Sequence, residues 1–137
     1  MNKFTNVAAA SSKMGERNDC SVKAVSIACR VPYNKAHAAL QAEGRQNRRG
    51  AKPTQILRSV EALGCVHEGI MNPRQPNGSR YTMSTIGKLC KRGYWMALVN
   101  GHIAAVVNGQ VEDWTQGRRH QVLAVWKVSV PRGSRSK

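Results

Sequence analysis

Acidic residues and large aromatics are both scarce in this chain of 137 residues, which has seven Asp and Glu, one Phe, three Tyr and three Trp. So few large apolar side chains limit the protein to one small core, and the length allows one ordinary domain rather than two. Against 22 Lys and Arg, seven carboxylates leave a net charge of +15. The basic residues divide evenly, 11 in residues 1–68 and 11 in residues 69–137, which excludes a basic arm on a neutral body. A charge of this size points to nucleic acid or another polyanion as partner, or to a solvated basic surface that serves solubility.

Long apolar runs are missing too. No stretch approaches the ~20 residues of a membrane helix, so no membrane span is expected. Residues 1–19 lack the apolar run of a secretory signal, so a cytoplasmic protein is expected. Its four cysteines, Cys20, Cys29, Cys65 and Cys90, are then expected as thiols rather than two disulfides. No Cys-x-x-Cys spacing occurs, and no metal or other cofactor is expected. Three of the four thiols are expected to act as small buried hydrophobes.

Residues 1–14 are polar and rich in small side chains, and are expected to be flexible. Residues 129–137 are basic, hold Pro and Gly, and are expected to be a tail. Between them, residues 15–128 form the expected single domain. Its first half reads as helical: Asp19 as the cap of a helix to about Arg30, Pro32 opening a second to Gly44, and Pro53 opening a third to Gly64. Apolar stripes at Val22, Val25 and Ile27, at Ala36 and Leu40, and at Ile56, Val60 and Leu63 agree. Residues 46–52 and 72–80 are loops, either of which could border a groove. A further helix is expected over 83–92. Short β-branched and aromatic runs at 94–99, 103–107, 110–114 and 122–128 then read as strands. The fold class is α+β, with N-terminal helices packed on a C-terminal antiparallel sheet.

The sharpest local signal is Asn108-Gly109 between two strand-like runs, since both residues tolerate the positive φ of a two-residue type I′ hairpin. Pairing Val107 with Gln110 puts Ala105 opposite Glu112, Ala104 opposite Asp113 and His102 opposite Thr115. His102 and Asp113 then share a face as diagonal neighbours, on the order of 7–8 Å apart, a gap their side chains can close. Glu112 faces the other way. An aspartate bonded to one imidazole nitrogen fixes the tautomer and frees the other nitrogen to take a proton from a nucleophile. Cys20 suits that role, because the first turn of a helix favours a thiolate. Cys29 and Cys90 fall late in predicted helices, and Cys65 follows a helix-ending Gly. Four of the seven carboxylates lie at these two motifs: Glu16 and Asp19 beside Cys20, and Glu112 and Asp113 on the hairpin. The plainer alternative makes Asp19 a cap, Cys20 a buried thiol and His102 a polar strand residue.

The segments GERNDCSVKA at 15–24, VPYNKAH at 31–37, GYWM at 93–96, GHIAAVV at 101–107 and VEDW at 111–114 resemble small phage-encoded proteins related to papain-like cysteine peptidases, including those that remove double-glycine leaders from bacteriocins. The resemblance runs from about Gly15 to Val128. It implies a helical half carrying the nucleophile Cys20, a sheet carrying the base His102 and the orienting Asp113, a substrate between them, and a location in host cytoplasm or a phage virion. The glutamine that such enzymes place about six residues before the cysteine is replaced by Met14, leaving Asn18 as the candidate side chain for the oxyanion hole, with the backbone N–H of Cys20.

The expected activity is hydrolysis of a peptide, isopeptide or other amide bond, with a peptide or protein as substrate and a virion or host protein as a further partner. The alternative is a non-enzymatic basic protein, bound to nucleic acid or virion-associated, on an inactive peptidase fold. Arg45, Arg48, Arg49, Arg118, Arg119, Arg132 and Arg135 are the candidate phosphate contacts, though basic loops are often only solvated. His37 is expected to be a packing or surface residue, and His67 has no evident partner. Trp95, Trp114 and Trp126 are expected in strand packing.

Overall fold

The computed structural model describes residues 3–131, so Arg132 and Arg135 lie outside the described residues. Among these, four helices come first: α1 (Lys3–Lys13), α2 (Cys20–Cys29), α3 (Tyr33–Ala42) and α4 (Pro53–Ala62). Five strands follow: β1 (Val66–Met71), β2 (Tyr94–Val99), β3 (His102–Val107), β4 (Gln110–Glu112) and β5 (Ala124–Ser129). They form one antiparallel sheet in the order β1-β5-β2-β3-β4. The α+β class read from the sequence is therefore what the chain adopts. No helix among the described residues is long and apolar enough to cross a membrane.

Helix α2 is the hub. Eight of its ten residues are buried, Val22 and Val25 completely, so only a helix enclosed on most sides fits this segment. Each such valine contributes about 2 kcal/mol by leaving water. α2 lies against β3 and is flanked by α1 and α3. It ends where Arg30 turns left-handed at φ 59°, just ahead of Pro32. α4 starts at Pro53, and Gln55 Oε1 accepts the Lys52 N–H at 2.8 Å.

Strand alternation divides the sheet between two cores. Met96, Ile103, Ala105, Val107, Ala124 and Trp126 face the helices. Ala97, Val99, Ala104, Val106, Val111 and Val125 face the connection that brings Tyr81, Met83, Ile86 and Cys90 over the second face.

Four local expectations are corrected. The segment read as flexible forms α1, because Phe4, Val7 and Ala10 make a narrow stripe that packs on the core, and Ser11 is buried with them. The helix expected over 83–92 shrinks to a 3-10 turn at Ile86–Lys88. Thr85 Oγ1 takes the Thr82 N–H at 2.9 Å, offering the backbone a partner other than a helix, and Gly87 meets Gly109 so closely that a Cβ would stand 2.3 Å from its carbonyl oxygen. β4 stops at Glu112, short of Trp114. Asp19 makes no side-chain cap on α2.

Asp19 is instead a buried tie between three helices. Its Oδ2 accepts Ser11 Oγ at 2.6 Å and Tyr33 Oη at 2.5 Å, and Lys23 Nζ lies 3.5 Å from Oδ1. Burial pushes its pKa up, but these two hydrogen bonds and the lysine bring it below its ordinary 3.8. Stability from such a group is present above the unfolded value and lost as pH falls through the lower folded one. Asp19→Asn is expected to cost about 2–4 kcal/mol in urea unfolding at pH 7, from two weakened charge-assisted bonds, with the difference from wild type shrinking below pH 4.

Candidate active site

The two glycine-like residues of the hairpin carry the expected geometry: Asn108 has φ 49° and Gly109 φ 83°, and the ladder pairs Val107 with Gln110, Val106 with Val111 and Ala105 with Glu112. At residue 113 the chain leaves the sheet, because Asp113 Oδ2 captures the Thr115 N–H at 3.1 Å and Thr115 Oγ1 at 2.7 Å. Such a side-chain turn ends a strand and fixes the carboxylate at once. The same oxygen receives His102 Nε2 at 2.8 Å. With three donors converging on one oxygen, Asp113 is held from both the hairpin and the strand facing it.

Nε2 is thus the nitrogen committed to Asp113, and Nδ1 is the one left for a nucleophile. Cys20 stands there, as the first residue of α2 and partly buried. Burial raises its pKa, but hydrogen bonding to His102 and to the Ile103 backbone outweighs this, so the thiol is more acidic than its ordinary 9.0. For His102 burial acts downward, while the bonds to Asp113 and Cys20 act upward and win, raising the imidazole from 6.5 to about 9. The two shifts act in the same direction, toward a thiolate beside an imidazolium. The buried Cys90 has no such partner, and burial pushes it up to about 12.

Cys20, His102 and Asp113 line one cleft of about 470 Å³, with Asn18, Lys23, Gly50, Gly101 and Trp114 around them. A second depression of about 300 Å³ adjoins it through Cys20, Gly50, Gly101 and His102, and is walled by Ala51, Pro53, Ile56, Leu98 and Leu123. Of the two loops read as possible groove borders, residues 46–52 supply walls here and residues 72–80 do not. The backbone N–H of Cys20 belongs to the first turn of α2, where N–H groups have no intrahelical acceptor, so it is placed to receive an oxyanion. Asn18 lines the cleft, but one of its amide hydrogens goes to the Arg48 carbonyl at 3.2 Å.

Several residues were not legible as parts of this site. Trp114 is exposed rather than packed in a strand, with its ring 5.0 Å from that of His102, while His120 meets it edge-on at 5.7 Å and the Arg118 guanidinium lies 5.8 Å from its centre. Thr115 holds Asp113. Trp126 is buried in the core and Trp95 lies beside the other core, where the sequence reading put them.

The buried carboxylate of Glu16 binds Arg45, His37 and the Arg48 N–H, the last at 2.8 Å. This corrects Arg45 as a phosphate contact: its side chain is 1% exposed and its charge is spent on Glu16. Arg48, Arg49, Arg118 and Arg119 are exposed. His67 has a partner after all, Glu61 at 3.1 Å. Among the described residues no three His, Cys, Asp or Glu side chains gather as a metal site.

The chain matches no family model, no curated protein and no solved structure.

The opposed shifts at Cys20 and His102 set a pH profile. Alkylation of Cys20 by iodoacetamide, followed by peptide mass spectrometry, is expected to set in at lower pH than for an ordinary thiol and to change again as His102 loses its proton near pH 9. His102→Ala should move the Cys20 profile up toward an ordinary thiol, and Asp113→Asn should move it part of the way. A wild-type profile no lower than that of an ordinary thiol would refute the pairing. The imidazolium also stabilises the fold: that contribution is complete below pH 6.5 and lost as pH rises through about 9.

Proposed function

We propose that this protein is a cysteine hydrolase of the papain-like kind, acting on a peptide or isopeptide bond and encoded by a phage, as its resemblance implies. The observation that carries the reading is the convergence in one cleft of a thiol at a helix start, an imidazole, and a carboxylate 2.8 Å from the imidazole's far nitrogen.

The Cys20 thiolate attacks the carbonyl carbon, and the displaced electron pair goes to the carbonyl oxygen, which the Cys20 N–H receives. Asn18 can add its remaining amide hydrogen. Collapse of this intermediate breaks the C–N bond as imidazolium His102 gives its proton to the leaving amine. The neutral imidazole then takes a proton from water, which attacks the thioester. Breakdown releases the acid and returns thiolate and imidazolium. Asp113 keeps the ring oriented throughout and favours the imidazolium, as the third member of such triads does.

The second reading is a basic protein that binds nucleic acid or sits in a virion, and it draws on the net charge of +15 and the exposed Arg48, Arg49, Arg118 and Arg119. Either role would place the protein in host cytoplasm or in the particle.

A peptide library read by mass spectrometry for new termini separates the two. The hydrolase reading expects cleavage by wild type, none by Cys20→Ala, and a fall of roughly 10³-fold or more in His102→Ala. Cleavage that persists in Cys20→Ala refutes it. No cleavage, with DNA binding that drops steeply between about 50 and 200 mM salt, gives the protein to the second reading.

A further inference from the structure

Next to the catalytic cleft lies a third depression of about 510 Å³, lined by Arg17, Asn18, Asn47, Arg48, Arg49 and Gly50. Three arginines and two asparagines line this space, and no acidic residue does. Asn18 and Gly50 also line the cleft that holds Cys20, so the two spaces meet at shared walls.

The loops that build it are set, not slack. Asn18 and Arg48 both take left-handed backbone conformations, at φ 54° and 65°, which a connection free to relax would avoid. Three contacts hold them so: Asn18 Nδ2 to the Arg48 carbonyl at 3.2 Å, Arg48 Nε to the Gly15 carbonyl at 3.1 Å, and the Arg48 N–H to Glu16 at 2.8 Å.

Glu16 would be the natural counter-ion, but its two oxygens are taken up by His37, Arg45 and that N–H. Its side chain is 2% exposed, and it is not among the residues that line the pocket. Among the described residues neither Arg17 nor Arg49 forms an ion pair, and both are exposed. What results is a cationic pocket on a fixed backbone, whose neighbouring carboxylate is engaged elsewhere.

We propose that this pocket binds the carboxylate of an acidic residue in a peptide substrate, beside the bond that Cys20 attacks. The inference rests on the hydrolase reading and adds a substrate class to it. Guanidinium forks match a carboxylate in geometry as well as in charge. A peptide lying in the cleft needs only to turn one side chain past Asn18 and Gly50 to reach them. Another depression that adjoins Cys20 is apolar, walled by Ile56, Leu98 and Leu123, so the spaces around the nucleophile differ in character.

The test compares two small electrophiles on the intact protein, N-chloroacetyl-glutamate amide and N-chloroacetyl-glutamine amide. In each the thiolate forms an S–C bond and expels chloride, so labelling needs no turnover. Cys20 is expected to react roughly tenfold faster with the glutamate probe. The ratio of the two rates should fall toward one in R17Q/R49Q and be largely kept in R49K. The double variant removes two of 22 basic residues, so attraction by the surface as a whole would survive it and attraction by the pocket would not.

A wild-type ratio near one, with both probes still selective for Cys20, overturns the pocket and leaves the nucleophile standing. Labelling spread over the cysteines without preference overturns the hydrolase reading and this inference with it. A ratio near one together with protection of Cys20 by a short single-stranded oligonucleotide gives the pocket to nucleic acid, and also overturns the proposal.

Discussion

The arrangement depends on a carboxylate that the fold keeps out of water. Asp19 stands immediately before Cys20 and joins Ser11 on α1, Tyr33 on α3 and Lys23 one turn into α2. Burying a carboxylate costs several kcal/mol unless its lone pairs are used, and here hydroxyl donors and an ammonium use them. The consequence is positional. The first turn of α2 cannot fray or slide, so the Cys20 sulfur and N–H are fixed relative to the sheet. Glu16 does the same for the preceding loop through Arg45, His37 and the Arg48 N–H, which ties residues 15–18 to residues 46–50. Both carboxylates anchor the start of α2 to α3, Asp19 through Tyr33 and Glu16 through His37.

The sheet supplies the other half by a different device. A two-residue turn sets the register of β3 and β4, and the register decides which side chains are neighbours. A slip of one residue would exchange Asp113 for Glu112 or Trp114 beside the histidine. Gly87 packs against Gly109, so the connection covering the second face of the sheet also braces that turn. The strand then breaks where Asp113 finds its own backbone donor at Thr115. The turn that ends the ladder is therefore the same structure that aims the carboxylate at His102.

What could be read from the residues follows the range of the interactions involved. The hairpin was legible because positive φ at Asn108 and Gly109 is a local demand that few residue types meet. The starts and stops of α2, α3 and α4 were legible because proline, glycine and the apolar spacing are local too. α1 was not, since its stripe is built from small side chains and gains its stability from contact with the core, which no local pattern records. Nor was the helix expected at 83–92 avoidable from sequence, because its replacement depends on threonine hydroxyls and on a backbone meeting between residues 22 positions apart. The roles of Asp19 and Glu16 were hidden for a related reason. An aspartate ahead of a helix looks like a cap, and only the approach of Ser11 and Tyr33 turns it into a buried tie. Arg45 was read with its neighbours Arg48 and Arg49 as one basic run, although it turns inward onto Glu16 while they are exposed.

In a chain with this excess of positive charge, carboxylates are scarce enough that their placement is informative. Glu16, Asp19 and Asp113 are all turned inward, and each is held by several donors. Asp113 serves one imidazole, and the other two serve the backbone around Cys20. Asp19 and Asp113 line the cleft but are paired with Lys23 and His102, while among the described residues Arg17 and Arg49 beside it form no ion pair. The field around Cys20 then favours the ionised sulfur, and it draws anionic groups toward the same rim. On the proposed hydrolase reading, the reactivity of Cys20 and the choice of substrate have a common origin in where the few carboxylates were put.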